Sequence, residues 1–209
     1  DLSGVIATSA VLTAVIGLSL QDTLGNILSG LALQMDGSIQ VGDWVKIGDV
    51  SGRVSEIRWR FTAIETRNWE TVIFPNSVLT RGQVMVLGQR ENQPLQWRRW
   101  VYFHVDFRHT PTDVIATVEQ ALCAQPITNV AATPLPNCIT MDFDTSSTKY
   151  AVRYWLTDLA ADDPTDSLVR TRIFFALARA RMAPAIPAQT VFLTEHDEER
   201  AQAKREEDF

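Results

Sequence analysis

The sequence predicts a membrane-spanning α-helix followed by a small all-β barrel and an α+β domain. Three observations support this fold class: an uncharged run at residues 2–21, short runs rich in Val, Ile and Trp between glycines at 37–82, and alternating strand and helix patterns at 83–194. Residues 195–209 are densely charged and have no apolar face, which predicts a solvated tail or linker.

The uncharged run begins after Asp1 and ends before Asp22. At about 1.5 Å of rise per residue, its roughly 20 residues span about 30 Å, the hydrocarbon thickness of a bilayer. Its polar members are Ser and Thr, whose hydroxyl groups can bond to their own helix where water is absent. We therefore predict a membrane helix. The alternative is a buried helix of a large soluble protein.

Small residues recur along this run at steps of three and four, which places them on one side of a helix. They are Ala7, Ala10, Ala14, Gly17 and Gln21, and we call this row the seam. In a membrane, a seam of small residues lets helices approach closely and pack. It predicts a helix that packs against copies of itself.

Residues 22–36 predict a second, amphipathic helix that completes the first domain, 1–36. Asp22 can cap its start, and Gly25 is a weak point near which the two helices should separate. The second helix would then lie along the membrane surface. The alternative is one continuous helix. The predicted apolar face consists of Leu24, Ile27, Leu28, Leu31 and Met35.

The second predicted domain, 37–82, contains short strand patterns separated by turn residues. Hairpin turns are expected at Gly48-Asp49 and at residues 67–70. Four or five strands in so short a segment are typical of a small, strongly bent barrel. The strand patterns lie at 41–47, 52–57, 58–66 and 71–74.

The third predicted domain, 83–194, has the order β-α-β-β-α-β of a ferredoxin-like unit. Thr110 and Pro111 have the residue types favoured at the cap and first position of a helix. A second helix should begin at Asp163-Pro164 and end before Pro184. The predicted strands lie at 95–108, 138–145, 150–157 and 190–194.

Five segments, in this order and spacing, resemble the small-conductance mechanosensitive channel (MscS) family. The resemblance implies a pore-lining helix, an Sm-like β domain and an α/β domain, with seven chains around one pore in the bacterial inner membrane. The soluble domains would be cytoplasmic, and the strand at 190–194 would join its symmetry mates. The segments that carry the resemblance are 17–21, 24–30, 41–45, 52–57 and 73–77.

The resemblance also implies site residues. The two leucine rings that gate the family's pore fall at Leu18, which keeps the leucine, and at Ala14, which departs from it. The family's kink glycine falls on Asp22, so Gly25 is expected to provide the bend. Gln21 and Asp22 would lie at the pore mouth, where an acidic ring favours cations. The implied packing residues are Ala7, Ala10 and Gly17.

The resemblance leaves the gating stimulus open. Membrane tension is one possibility. The other is a cyclic nucleotide bound to a domain beyond Phe209, because residues 20–26 and the charged tail are similar to a family branch with such a domain. From a different class, a membrane-anchored Sm-like structural or RNA-binding module is the alternative to a channel.

Composition argues against several other functions. A net charge of −6 over 209 residues opposes general nucleic-acid binding, despite the Arg and Trp residues at 58–60 and 97–100. Cys123 and Cys138 are far apart, which predicts reduced interior residues in a cytosolic compartment. The chain begins at Asp1 without Met, so we expect it to be part of a longer protein.

The sequence contains no recognisable catalytic motif, so we expect neither an enzyme nor a cofactor or metal site. The three histidines are scattered and are interpreted as surface or strand residues. The expected partners are further copies of the chain, the lipid bilayer and permeating ions. Five aspartates near loops are interpreted as capping and turn residues: Asp142, Asp144, Asp158, Asp162 and Asp163.

Overall fold

The computed structural model of the chain describes residues 2–186, with side chains described at residue 6 and from residue 8 onward. The chain forms two compact units. The first contains residues up to Arg99 together with Ile127–Leu135 and Tyr154–Ser167, and the second contains the intervening segments and residues from Leu168 onward. The strand predicted at 190–194 and the charged tail at 195–209 lie outside the described residues.

Helix α1 runs without interruption from Leu2 to Asp36, a length of 35 residues. The predicted separation into two helices near Gly25 is therefore wrong. No proline interrupts the stretch, and the cost of about 1 kcal/mol for a glycine inside a helix is too small to end it. At the expected break, Asn26 Nδ2 donates a hydrogen bond to the carbonyl oxygen of Asp22 at 2.9 Å, which ties successive turns together.

The β domain is one antiparallel five-stranded sheet in the order β4-β3-β2-β1-β5. Strands β4 and β5 are the edges of this order, so no strand pairing within the described residues closes the predicted barrel. A bulge between Val54 and Glu56 interrupts the register of β2 with β3. The elements are β1 (Trp44–Ile47), β2 (Val50–Ile57), β3 (Phe61–Thr66), β4 (Thr71–Pro75), α2 (Asn76–Arg81) and β5 (Met85–Val86).

The hairpin turns predicted at Gly48-Asp49 and at 67–70 are confirmed. The strand predicted at 58–66 is wrong at its start, because β2 ends at Ile57 and β3 begins at Phe61. Residues 58–60 form a tight turn, closed by a 2.8 Å hydrogen bond from Arg58 N to the carbonyl oxygen of Phe61. The alternation of apolar and polar residues continues through Trp59 and across the turn. The turn at 58–60 therefore could not be predicted from this alternation.

The core of this domain includes one residue of the long helix. Leu33 of α1 is buried with Val45, Val54 and Ile64 of the sheet and with Leu79 of α2. Burying apolar side chains of this size contributes about 1.5–3 kcal/mol each. The C-terminal part of α1 is thus a structural component of the β domain.

The remaining elements have the predicted order β-α-β-β-α. The three strands form a sheet in the order β6-β8-β7. Thr110 is the N-cap of α3, as predicted, and its Oγ1 accepts a hydrogen bond from Asp113 N at 3.3 Å. The elements are β6 (Trp97–Asp106), α3 (Pro111–Cys123), β7 (Asn137–Phe143), β8 (Ser147–Leu156), a 3-10 turn (Leu159–Ala161) and α4 (Asp162–Arg179).

The cysteines differ from the prediction in one respect. Cys138 lies in the interior, where burial, together with nearby Glu119, raises the pKa of its thiol to about 12. Cys123 is exposed, so its predicted interior location is wrong. Cys123 ends α3, where the helix presents its last turn to solvent.

Candidate pore-lining helix and its junction with the β domain

Helix α1 satisfies the length and composition of a membrane span. Among the described helices it alone is long and apolar enough to cross a membrane, over Thr8–Asp36, and none of its apolar window is buried in the chain. Two of its hydroxyl groups bond to their own helix as predicted. Thr13 Oγ1 donates to the carbonyl oxygen of Ser9 and Ser19 Oγ to that of Val15, both at 2.8 Å. These bonds remove donors that lipid could not satisfy.

The seam continues beyond the residues that the sequence singled out. After Gln21, the same steps of three and four reach Leu24, Leu28, Leu31 and Met35, all exposed. Because α1 is continuous, these residues and the seam form one stripe with the heptad spacing of helices that pack along their length. Ile27 of the predicted apolar face is half-buried instead.

The residues predicted to form the gate are exposed on the surface of α1. Leu18 is 72% exposed, and Ala14, one turn away, is also exposed. No atom approaches within 4 Å of a Cβ built on Gly17 or Gly25. Ala10 and Gln21 are exposed. The side chain of Ala7 is not described.

A different side of α1 is held against the β domain at a site that we call the junction. Gly30 is its closest point, because a Cβ built there would lie 2.4 Å from Asn76 Nδ2 and 2.6 Å from the carbonyl oxygen of Trp59. Only a residue without a side chain fits so close to a neighbouring backbone. The glycine therefore allows α1 to contact both α2 and the β2–β3 turn.

Polar bonds fix the junction on both sides of Gly30. Asn26 Oδ1 accepts a hydrogen bond from Ser77 N at 3.0 Å, which satisfies an amide in the first turn of α2. One turn further along α1, the Thr80 hydroxyl donates to Ser29 Oγ at 2.9 Å. These bonds orient α2 along the long helix.

Asn76 connects the junction to the sheet and is fully buried. Its Nδ2 donates to the carbonyl oxygen of Arg58 at 2.8 Å, and its backbone N donates to that of Arg60 at 3.0 Å. Its Oδ1 accepts from the Thr62 hydroxyl at 2.9 Å. The side chain and the backbone N–H of Asn76 thus satisfy two carbonyl groups of the β2–β3 turn, and the side chain also packs against Gly30, so the turn and helix α1 are held together.

Asp22 lies next to the junction rather than on an isolated helix surface. It lines an open cleft of about 300 Å³ together with Arg60, Phe61, Ile73 and Pro75. The sequence interpretation considered Asp22 only as a pore-mouth residue. The structure brings it together with side chains of the β2–β3 turn and of β4.

A separate charge cluster, with buried carboxylates, lies elsewhere in the first compact unit of the chain. Asp162, at the start of α4, lies 2.9 Å from Arg67 Nε and 3.4 Å from Arg99 Nη1. Arg99 Nη2 also contacts Asp166 Oδ2 at 2.5 Å, and Tyr154 donates its hydroxyl hydrogen to Asp166 Oδ1 at 2.7 Å. Burial, followed by the bond to Asp166, raises the pKa of Tyr154. Asp162 lies in the first turn of α4, but it is buried, so its interpretation as a solvent-exposed turn residue is wrong.

Other loop aspartates do cap or stabilise turns as predicted. Asp158 Oδ1 accepts from Ala160 N at 3.0 Å, and Asp144 Oδ1 accepts from Thr145 N at 2.8 Å. The charge cluster was missed because its members are distant in sequence. Asn76 could have been identified as a candidate functional residue, because it lies directly after Pro75 in the segment 73–77, one of those that carry the family resemblance.

Comparisons with known proteins agree on one family. The sequence profile described as "Mechanosensitive ion channel, beta-domain" matches residues 22–85. The chain is 32% identical over 95 residues to the low conductance mechanosensitive channel YnaI of Escherichia coli, which covers 44% of this chain and 28% of YnaI. It is 24% identical to the small-conductance mechanosensitive channel MscMJ of Methanocaldococcus jannaschii, over 92% of this chain and 54% of MscMJ.

The fold agrees with the sequence matches. The crystal structure of Helicobacter pylori MscS, described as a closed state, superimposes with a TM-score of 0.79 at 16% identity, covering 93% of this chain and 74% of that one. The present chain spans about half or less of the curated relatives named above. The matched β domain, the preceding long helix and the shared fold together mean that the chain belongs to the small-conductance mechanosensitive channel (MscS) family.

Proposed function

We propose that this chain is a pore-forming part of a mechanosensitive ion channel in which several copies of α1 surround a central pore. The oligomer would be a heptamer in the bacterial inner membrane, with Sm-like and ferredoxin-like domains in the cytoplasm. Membrane tension is the proposed stimulus, because the matched relatives are named mechanosensitive channels. The whole chain acts as a conduit for ions and carries out no chemical step.

The exposed stripe on α1 is the observation that carries this proposal. The stripe consists of mainly small residues in the first part of α1, up to Gln21, and of leucines and Met35 in the second part. The junction occupies another side of the same helix. Small residues permit close helix–helix contact in lipid, where apolar residues alone provide no preference for protein over lipid. Further copies of α1 are therefore the proposed partners of Ala7, Ala10 and Gly17.

We place the gate at Leu18, with Ala14 forming a second, wider ring. A ring of leucine side chains would make a constriction that expels water, and a dry pore blocks ions. Alanine is smaller, so Ala14 would contribute less to the seal. Gln21 would line the polar mouth, and Gly25 would allow α1 to bend when the pore opens.

The direct test is patch-clamp recording of the protein in membranes that lack other mechanosensitive channels. Suction is applied first, and cyclic AMP is added second. We expect openings under suction alone. Openings that require the nucleotide would instead assign control to a ligand, and silence under both conditions would contradict a conducting role.

In the same recordings, Leu18→Ser is expected to increase the resting current without suction. A hydroxyl ring holds water, so the constriction would remain conductive. Leu20→Ser is the matched control, because two residues of helix place Leu20 nearly opposite Leu18 at a similar depth. Leu18 is not the gate if Leu18→Ser has the same resting current as the unaltered protein. The same conclusion follows if Leu18→Ser and Leu20→Ser increase the resting current equally.

A further inference from the structure

We propose that His109 is a pH-sensitive latch for the segment that follows α4. In its neutral form the imidazole holds residues 182–184 against the end of β6, and protonation of the ring releases them. This inference does not depend on the proposed channel function, since it concerns contacts within the second compact unit of the chain.

The segment begins at an abrupt turn that ends α4. Arg181 has a φ of 56°, in the left-handed region, and Met182 N donates a hydrogen bond to the carbonyl oxygen of Leu177 at 2.9 Å. This pattern closes the end of a helix and redirects the chain. The left-handed region is unfavourable for a residue with a Cβ, and a residue persists there where its surroundings hold it. Contacts made by the following residues therefore contribute to the stability of the turn.

Backbone and side-chain contacts attach this segment to the end of β6. Asp106 N donates to the carbonyl oxygen of Ala183 at 3.3 Å, and Val105 and Pro184 form an antiparallel bridge. Ala183 N donates to Nε2 of His109, also at 3.3 Å. His109 is placed for this contact by the turn after β6, in which its own N donates to the carbonyl oxygen of Asp106 at 3.1 Å. The imidazole is thus one of a small number of groups that hold the segment.

The direction of the bond determines the protonation state of the ring. A backbone N–H can only donate, so Nε2 of His109 must be unprotonated, and the neutral ring carries its hydrogen on Nδ1. A proton taken up from solvent at Nε2 would place two N–H groups face to face. His109 is only half-buried, so solvent can reach it. Protonation therefore removes the hydrogen bond and leaves the Ala183 amide to bond with water.

The charged residues nearest to His109 along the elements that meet here are Asp106 and Arg108 beside it, Asp113 in the first turn of α3 and Arg181 after α4. Arg108 bonds to Asp106 at 2.7 Å and, with a smaller effect from His109, lowers the pKa of the Asp106 carboxyl to about 2. Asp106 therefore keeps its charge down to mildly acidic pH and favours uptake of a proton by the nearby ring. Histidine is the side chain whose charge ordinarily changes between pH 5 and 8.

The sign of the pH effect follows from proton binding. The attached segment requires a neutral His109, whereas the released segment allows the ring to take up a proton. Lower pH therefore favours release, and the attachment is present at neutral pH and is lost as the pH falls through the range in which histidine titrates. Residues 187–209 follow this segment, so His109 would make the connection between α4 and the end of the chain depend on pH.

The test is hydrogen–deuterium exchange of the full chain in detergent at pH 7.5 and pH 5.5, read by mass spectrometry on a peptide that covers residues 182–186. Each rate is divided by the intrinsic rate at the same pH, because intrinsic exchange itself depends on pH. We expect the corrected exchange of the Ala183 amide to be about fivefold faster at pH 5.5, the effect of one lost hydrogen bond. A peptide from the buried strand β8, residues 150–156, should show no such change.

Two variants of His109 separate its protonation from its presence. The amide oxygen of His109→Gln can accept the Ala183 N–H at either pH, so this variant should remain protected at pH 5.5. His109→Leu has no acceptor and should exchange fast at both pH values. His104→Gln is the matched control, because His104 is exposed on β6, and it should respond to pH as the unaltered chain does.

Equal protection of residues 182–186 at the two pH values in the unaltered chain would overturn the proposal. A pH response that persists in His109→Gln, or that disappears in His104→Gln, would assign the effect to another group and would also overturn it. Faster exchange of the β8 peptide at pH 5.5 would indicate general loosening of the domain instead of release of one segment. None of these outcomes depends on whether the protein conducts ions.

Discussion

Gly30→Ala is expected to destabilise the junction even though alanine is the better helix former. The added Cβ would lie 2.4 Å from Asn76 Nδ2 and 2.6 Å from the carbonyl oxygen of Trp59. The Asn76 side chain cannot move freely, because it holds the β2–β3 turn. Overpacking of this kind costs about 1–3 kcal/mol, which exceeds the gain in helix propensity. We expect a thermal unfolding temperature about 4–8 °C lower in detergent for a net loss of about 2 kcal/mol.

Gly25→Ala provides the matched control, because it makes the same change in the same helix. Nothing lies within 4 Å of a Cβ built on Gly25, so only the backbone effect remains. That effect should stabilise the chain by about 0.4–1 kcal/mol and raise the unfolding temperature by roughly 1–4 °C. Opposite signs for the two alanines would support the close contact at Gly30. A stabilised Gly30→Ala variant would contradict it.

Asp166→Ala is expected to cause the larger loss of stability. It would remove the carboxylate that pairs with Arg99 and accepts the Tyr154 hydroxyl, and Asp166 is only 3% exposed. Removing one partner of a buried pair costs about 3–5 kcal/mol, because the other charge is left without compensation. Asp162, at 3.4 Å from Arg99, would offset part of this cost. A loss of about 3 kcal/mol should lower the unfolding temperature by roughly 6–12 °C.

Glu56→Ala tests whether the large loss of stability expected for Asp166→Ala arises from the burial of its ion pair. Glu56 and Arg58 form an ion pair at 2.7 Å, but both side chains are substantially exposed. Exposed pairs contribute about 0–1 kcal/mol, so the unfolding temperature should change by no more than roughly 4 °C. Equal losses in Asp166→Ala and Glu56→Ala would show that the charge cluster at α4 contributes no more than a surface pair.

The junction provides a mechanical connection between α1 and the β domain. Leu33 is buried in the core of the β domain, and Asn26 and Ser29 bond to α2. A movement of α1 would therefore be transmitted directly to the sheet. The junction is continuous with the proposed pore helix, since no break separates Leu18 from Gly30.

The sequence by itself determined the elements whose cause is local. The uncharged run predicted the first part of the long helix α1, turn residues predicted the hairpins at Gly48-Asp49 and 67–70, and Thr110 with Pro111 predicted the start of α3. The seam was also readable, because helical spacing alone assigns residues to one side. Each of these features depends on interactions between residues close together in the chain.

Only the tertiary structure decided the features that depend on distant contacts. The turn at 58–60, which Asn76 holds, and the cleft shared by Asp22 and Arg60 depend on contacts between segments distant in sequence. The role of Gly30 depends on Asn76 and Trp59, and the burial of Asp162 depends on Arg67 and Arg99. The physical reason is the same in each case: a local pattern gives a residue's propensity, whereas its partners and burial arise only when remote segments meet.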